Sequence, residues 1–193
     1  MIKFTLFGGP ERTLRLHKDR VTFVYGPPRS GKSTLFNMLA GHPPARGCAV
    51  QAPDLDRHWV AQGSTHYFPT YHPVELLRWL PRILQGSYLD ARVVDGELRF
   101  YDTRATSPQE FPDLGEDVAS LVSLTQVLLK AADKSLVCIH HPEDVLSVRN
   151  QELLGELLYE IAAVHPNTHY LVFTHSPFLP GAHHDAMVNI ENL

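Results

Sequence analysis

A run of nine residues from Gly26 to Thr34 has the residue types and the spacing that bind phosphate groups. It fits the pattern G-x-x-x-x-G-K-[ST] without a mismatch. In a loop of this kind, backbone N–H groups surround phosphate oxygens, the lysine supplies a mobile cation, and the hydroxyl after it can ligate Mg²⁺. We therefore predict that the run holds a nucleoside triphosphate, with Ser33 on the metal. The predicted phosphate-binding residues are Gly26, Pro27, Arg29, Ser30, Gly31, Lys32, Ser33 and Thr34.

The elements that must position this loop can also be predicted. The β-branched and aromatic run 21–25 directly before it is typical of a buried strand. After the loop, apolar residues recur at helical spacing until Gly41, which is a good helix stop. A helix that starts at a glycine loop directs the positive end of its dipole at the phosphate. Strand, loop and helix together predict a phosphate cradle.

The composition indicates an ordinary globular protein. The chain has 193 residues, of which 44% are hydrophobic and 20% charged, and we expect a single domain over 1–193. A net charge of -4 gives no indication of nucleic-acid binding. Two distant cysteines, Cys48 and Cys138, argue against a disulfide framework or a four-cysteine zinc site. No apolar run is long enough to span a bilayer and no signal-peptide pattern opens the chain, so we expect a cytoplasmic protein.

Strands and helices alternate along the rest of the chain. Two short strands precede the loop strand 21–25 and predict a small N-terminal antiparallel part. Predicted strands lie at 2–7, 13–17, 48–50, 58–62, 136–139, 170–173 and 187–190, with a hairpin at 91–102. Predicted helices lie at 74–84, where Pro81 interrupts the pattern, from Asp117 to about 129, and at 151–164. This alternation is typical of an α/β fold.

Polar residues follow two apolar strands in the second half of the chain. The strand 136–139 runs into His140-His141-Pro142-Glu143, and the strand 170–173 runs into Thr174-His175-Ser176-Pro177-Phe178. With these segments the chain resembles the ABC-class ATPases, within them the AAA-type group related to OLD, RecF and SMC head domains. Those proteins carry a Walker B strand ending D-E-P-E or E-Q-P-E, then a D-loop, a helix and a strand ending T-H-S-P-F.

The resemblance implies a fold, ligands and site residues. The fold would be a P-loop NTPase of ABC-ATPase type, with a mixed central sheet and helices on both faces. ATP and Mg²⁺ would bind, His175 would be the switch histidine on the γ-phosphate, and Gln62 would be the Q-loop residue that senses Mg²⁺. Hydrolysis would be slow or partner-dependent, in a homodimer or heteromer formed through the nucleotide face, with a partner effector protein.

The chain departs from the family at two motifs. His140 and His141 stand where the Walker B aspartate and the catalytic glutamate are expected. In the signature segment 114–120, only Gly115 and Ser120 could face a phosphate, since Glu116 and Asp117 would repel it. Imidazole is a poor replacement for a carboxylate on Mg²⁺, and His141 can act as a base only while neutral.

Two interpretations of these departures remain open. In one, ATP is hydrolysed slowly, with Glu143 or Asp144 taking over the role of metal ligand or base beside His141 and His175. In the other, nucleotide binding is a switch and a partner supplies the catalytic groups. A transition-metal site built on both His140 and His141 is disfavoured, because adjacent residues of a strand face opposite sides.

A nucleotide or nucleoside kinase is the alternative from another class. Asp56-Arg57-His58 resembles the D-R-[HY] segment of deoxynucleoside kinases. The segment follows the phosphate loop too closely, however, and such kinases start with the loop strand and lack a T-H-S-P-F ending. We interpret Asp56 and Arg57 as a solvated pair.

Overall fold

The computed structural model describes residues 1–60, 76–86, 88–104, 109–110, 115–130 and 134–193, with the backbone alone at 58–60, 97 and 109–110. The strands are β1 Ile2–Thr5, β2 Arg12–Leu14, β3 Val21–Tyr25, β4 Ala49–Gln51, β5 Asp56–Val60, β6 Leu89–Val94, β7 Glu97–Asp102, β8 Gln109–Glu110, β9 Ser135–His140, β10 His169–Phe173 and β11 Met187–Asn189. The helices are α1 Lys32–Leu39, α2 Leu80–Ile83, α3 Glu116–Lys130 and α4 Val148–Val164. Short 3₁₀ turns lie at Pro142–Asp144, His184–Ala186 and Ile190–Asn192.

Five parallel strands form the central sheet, in the order β11-β3-β10-β9-β5. The antiparallel strands lie in two small sheets, β2-β1-β4 and β6-β7-β8. The expected α/β fold and the small N-terminal antiparallel part are therefore confirmed. The antiparallel strands that we expected in a mixed central sheet lie instead in the two small sheets. The five described strands of the central sheet are all parallel.

Both faces of the central sheet are buried. Along β10, Tyr170 and Val172 pack into one apolar cluster, while Leu171 and Phe173 pack into another. The first cluster includes α3 and α4, and the second includes α1 and β1. Successive strand side chains point to opposite faces, so a continuous apolar strand requires cover on both sides. The helices predicted on both faces are confirmed.

Helix boundaries differ from the prediction where a cap or a proline sets them. Helix α4 starts at Val148, before the predicted Gln151, because the Ser147 side chain accepts a hydrogen bond from the Asn150 N–H. Pro81 lies in the first turn of α2 and does not break it, since the first N–H groups of a helix have no intrahelical partner. No helix in the described parts is long and apolar enough to cross a membrane.

Helix α4 makes one very close backbone contact. A Cβ on Gly155 would lie 2.0 Å from the carbonyl oxygen of Leu179, well inside van der Waals contact. Only a residue without a side chain lets the helix approach this segment. Leu179 comes shortly after the segment that leaves β10, so the contact helps to fix the polar residues at the end of that strand.

Candidate functional site

The predicted phosphate loop connects β3 to α1, as its sequence requires. Gly31 has φ +97°, and a Cβ there would lie 2.4 Å from Cδ1 of Leu6. The left-handed backbone favours glycine at this position, and any side chain there would also require the end of Leu6 to move. Helix α1 begins at Lys32, so its first backbone N–H groups belong to the loop. The local geometry is that of an anion-binding helix start.

The Lys32 ammonium lies inside the loop. The residue is only 4% exposed, and Nζ donates hydrogen bonds to the carbonyl oxygens of Gly26 at 2.6 Å and Pro27 at 3.1 Å. Burial lowers the pKa of Lys32, while the charges of Glu143 and Glu191 oppose that effect. The loop therefore holds a cation where its backbone curves, which suits a polyphosphate.

A cleft of about 290 Å³ opens over the loop. Its walls are Phe7, the loop residues 28–34 and His175. The cleft brings His175 from the end of β10 to the predicted phosphate-binding residues, about 140 positions away in the sequence.

The surroundings of His175 define its proton position. Nδ1 lies 3.1 Å from the carbonyl oxygen of Gly26, which can only accept, so Nδ1 carries the proton. Burial, the Lys32 charge and His141 lower the pKa of His175. In the neutral ring, Nε2 therefore keeps its lone pair.

His140 contacts the phosphate loop directly. Its Nε2 lies 3.0 Å from Oγ of Ser33, and its ring stacks on Phe36 with centroids 4.6 Å apart. Burial, followed by the neighbouring His141, lowers the pKa of His140 to about 4. A neutral imidazole thus occupies the position where the resemblance led us to expect a negative carboxylate.

His141 and Glu143 form a hydrogen-bonded pair at the end of β9. Nδ1 of His141 lies 3.1 Å from Oε1 of Glu143, and the same oxygen accepts the backbone N–H of His175 at 2.6 Å. Burial by itself would raise the pKa of Glu143, but these hydrogen bonds outweigh it and hold the pKa below its usual value. A carboxylate can only accept, so it holds the proton of His141 on Nδ1. The rings of His141 and His175 stack at 4.4 Å.

Gln151 links this turn to the end of β10. Its Nε2 donates to the carbonyl oxygen of Leu146 at 2.8 Å, and its Oε1 accepts from Oγ of Ser176 at 2.5 Å. Helix α4 thereby contacts both segments that carry the histidines. The sequence offered no sign of this role, since a glutamine inside a helix is ordinarily solvated.

Other predicted residues lie elsewhere. Gln62, the expected Q-loop residue, is outside the described residues. Ser120 is 2% exposed on the inner face of α3, so it cannot contact a phosphate from another subunit, and the prediction that it could is wrong. Asp56 and Arg57 are exposed and pair with the first residues of β9. That is the amino-terminal end of these parallel strands, whereas the phosphate loop follows the carboxyl end of β3, so the solvated interpretation fits better than a kinase motif.

Phe7 is a cleft residue that sequence reasoning missed. It is 65% exposed and has φ +51°, in the turn after β1. Its only sequence signal is an aromatic residue directly before Gly8-Gly9, which is also common in ordinary turns. An exposed aromatic ring at the rim of a phosphate cleft can stack on a nucleotide base.

Replacing Phe7 tests this contact. Phe7→Ala should weaken ATP binding about tenfold, because base–aromatic stacking contributes about 1–3 kcal/mol. Inorganic tripolyphosphate has no base, so its affinity should not change. Calorimetric titration with both ligands separates the two contributions, and Phe7→Tyr is the matched control that keeps the ring. Equal losses for ATP and tripolyphosphate would show that Phe7 shapes the loop instead.

The fold has clear structural relatives. It is similar to the SMC head domain from Thermotoga maritima, with TM-score 0.59 and 16% identity over 96% of this chain and 91% of that one. A protein described as an ABC transporter ATP-binding protein from Pyrococcus furiosus gives TM-score 0.58 and 12% identity over 99% and 98% of the two chains. An SMC head bound to the C-winged helix domain of ScpA gives 0.56 and 12% over 92% and 90%.

Sequence comparison adds nothing to these structural similarities. No protein-family profile matches the chain, and no curated protein matches it by sequence. Identities this low show the fold alone. The chain therefore has the P-loop ATPase fold of ABC and SMC heads, and its function must be argued from its own residues.

Proposed function

We propose that this chain is an ATP-binding, ATP-hydrolysing head domain whose slow turnover drives a nucleotide-dependent switch on a partner protein. The observation that carries the proposal is a cleft that brings together Lys32, the helix start of α1 and His175. A buried cation and converging N–H groups suit a triphosphate. Residues 26–34 would hold the phosphates, and Ser33 would contact the divalent metal, which supplies positive charge to the developing negative charge.

The His141–Glu143 pair supports hydrolysis without the missing glutamate. Since Nδ1 of His141 donates to Glu143, the lone pair of the neutral ring lies on Nε2. His141 is buried and stacks on the cleft residue His175, so this nitrogen would accept a proton only from a water molecule admitted past the His175 ring. Glu143 would then stabilise the imidazolium that results. The water oxygen then bonds to the γ-phosphorus as the bond to the bridging oxygen breaks.

His175 senses the terminal phosphate in this proposal. It lines the cleft, and its Nδ1 contact with Gly26 orients the ring. Its backbone N–H also binds Glu143, so a change at the phosphate reaches the His141–Glu143 pair directly. Through Ser176 and Gln151, the same change reaches α4.

The dependence of turnover on a partner follows from the few residues of the signature segment, 115–120 in the described structure, that could contact a phosphate. Ser120 is buried and the carboxylate of Asp117 would repel a phosphate, so in the described part of this segment only Gly115 is open to a phosphate. One of the two similar SMC heads is bound to the C-winged helix domain of ScpA. In a homodimer formed through the nucleotide face, the facing copy would offer only Gly115, whereas the partner of a heteromer would supply the missing cover. The cytoplasmic location stays a prediction.

Two variants test the proposed base. His141→Asn keeps a residue that tolerates the left-handed backbone, with φ +48° and ψ +54°, but removes the base. We expect phosphate release from labelled ATP in single turnover to fall about 10²–10⁴-fold, because a positioned general base contributes that much. Glu143→Gln should lower the rate as well, since it removes the carboxylate that orients His141. ATP affinity should stay within a few-fold in both.

The controls separate the remaining outcomes. His184→Asn changes an exposed histidine away from the cleft and should leave the rate unchanged. An unchanged rate in His141→Asn would contradict the base role. If the wild-type protein binds ATP but releases no phosphate, the proposed hydrolysis is excluded and only the proposed nucleotide-dependent switch remains. Phosphate transferred to added nucleosides or nucleoside monophosphates would favour the kinase alternative.

A further inference from the structure

The metal-facing corner of the phosphate loop has an unusual pair of atoms. Oγ of Ser33 is the expected metal ligand of such a loop, and its hydrogen-bond partner here is Nε2 of His140 at 3.0 Å. Mg²⁺ prefers oxygen ligands throughout its coordination shell. The serine fits that requirement and the imidazole does not. The later first-row transition metals, in contrast, accept imidazole nitrogen readily.

We infer that the nucleotide binds together with a later divalent transition-metal ion, such as Co²⁺ or Ni²⁺, in preference to Mg²⁺, with Ser33 and His140 as the protein ligands. This inference rests on the proposed function, because the phosphates of the nucleotide complete the coordination shell. Among the described residues, no group of three or more histidine, cysteine, aspartate or glutamate side chains could hold a metal alone. The site is therefore shared between protein and nucleotide.

The distance between the two atoms fits adjacent positions of one octahedral ion. Metal–nitrogen and metal–oxygen bonds of about 2.1 Å at a right angle place the two ligand atoms about 3.0 Å apart. Nε2 of His140 and Oγ of Ser33 are 3.0 Å apart. An ion can thus replace the hydrogen-bonded proton between them with little movement of either side chain.

The His140 ring is held in place by its neighbours. Phe36 stacks on one face at 4.6 Å, and the ring of His141 packs edge-on at 4.2 Å. A ligand that is fixed before the metal arrives loses little entropy on binding. Ser33 is exposed, so the corner is open to an ion that enters with the phosphates.

Glu143 does not supply a hard carboxylate ligand instead. Its Oε1 already accepts hydrogen bonds from His141 and His175, and its Oε2 is shut off from solvent. The positive charge of the nearby Lys32 ammonium disfavours the binding of a metal ion unless the negative charge of the nucleotide phosphates is present. We therefore expect tight metal binding only together with a nucleotide.

The test measures affinity for the non-hydrolysable analogue AMP-PNP by calorimetry, at metal concentrations that fully complex the nucleotide. Wild-type affinity should rise from Mg²⁺ to Mn²⁺ to Co²⁺, with at least about a tenfold difference across the series. His140→Asp should strengthen AMP-PNP binding with Mg²⁺ and reduce the difference in affinity among the three ions. His42→Asp adds the same charge at an exposed histidine outside the cleft and should change neither.

Electron paramagnetic resonance identifies the protein atom that is bound to the metal. Bound Mn²⁺ with AMP-PNP should show coupling to one imidazole nitrogen in the wild type. His140→Asn adds no charge and should lose that coupling, so the test survives if the aspartate variant does not fold. Equal affinities for the three ions without nitrogen coupling would overturn the metal inference alone. Absence of AMP-PNP binding with every ion and with chelator would overturn the proposed function itself.

Discussion

Lys32→Ala should lower ATP affinity by about 100-fold while the protein stays folded. The ammonium is the buried cation of the phosphate loop, and hydrogen bonds from a charged donor contribute about 1.5–3 kcal/mol each. Its present acceptors are the loop carbonyl oxygens of Gly26 and Pro27, which a bound phosphate would replace. Loss of the cation therefore removes binding energy from the ligand far more than from the core.

Calorimetric titration with ATP, together with a thermal melt, checks this expectation. Lys18→Ala removes an exposed lysine outside the cleft and should bind ATP like the wild type. Lys32→Arg keeps the charge but not the shape, and the planar guanidinium should restore only part of the affinity. Equal affinities in wild type and Lys32→Ala would refute the phosphate role of the loop.

Gly155→Ala should destabilise the protein by about 3 kcal/mol. The added methyl would lie 2.0 Å from the Leu179 carbonyl oxygen, a backbone atom that cannot rotate away. Overpacking in a well-packed core costs about 1–3 kcal/mol, occasionally more. At this chain length, a loss of about 3 kcal/mol lowers the melting temperature by about 6–12 °C.

Urea denaturation of the variant and of a second glycine variant provides the comparison. Gly115 has open space around its Cβ position, so Gly115→Ala should cost less than about 1 kcal/mol, chiefly through the helix start. We also expect weaker ATP binding in Gly155→Ala, because a shifted Leu179 displaces the segment that begins at His175. A melting temperature equal to that of wild type would show that the two segments are free to separate.

The phosphate loop was predictable because all of its information is local. The glycine spacing, Lys32 and the preceding apolar strand lie within fifteen residues, and nothing distant is needed to define their geometry. The buried strands β9 and β10 were predictable for the same reason. A continuous apolar run indicates a strand that is buried on both faces, whichever elements pack against it.

Contacts between distant residues could not be read from the sequence. Oε1 of Glu143 accepts from the backbone N–H of His175, 32 positions later, and no side-chain pattern encodes a backbone donor. The pairing of His140 with Ser33 spans 107 positions and depends on strand order. Phe7 lacked any diagnostic spacing, and Ser120 required knowledge of which face of α3 meets the sheet.

The order of the strands determines when the phosphate loop can form during synthesis. Both neighbours of β3 in the sheet, β10 and β11, lie far later in the chain than the loop that β3 carries. At about 5–20 residues per second, the ribosome adds residue 173, the end of β10, roughly 7–30 s after residue 25. Until then β3 has neither of its backbone partners, and the phosphate loop of the nascent chain follows an unpaired apolar strand. Nucleotide therefore cannot guide the early steps of folding, and it can stabilise only the nearly finished domain.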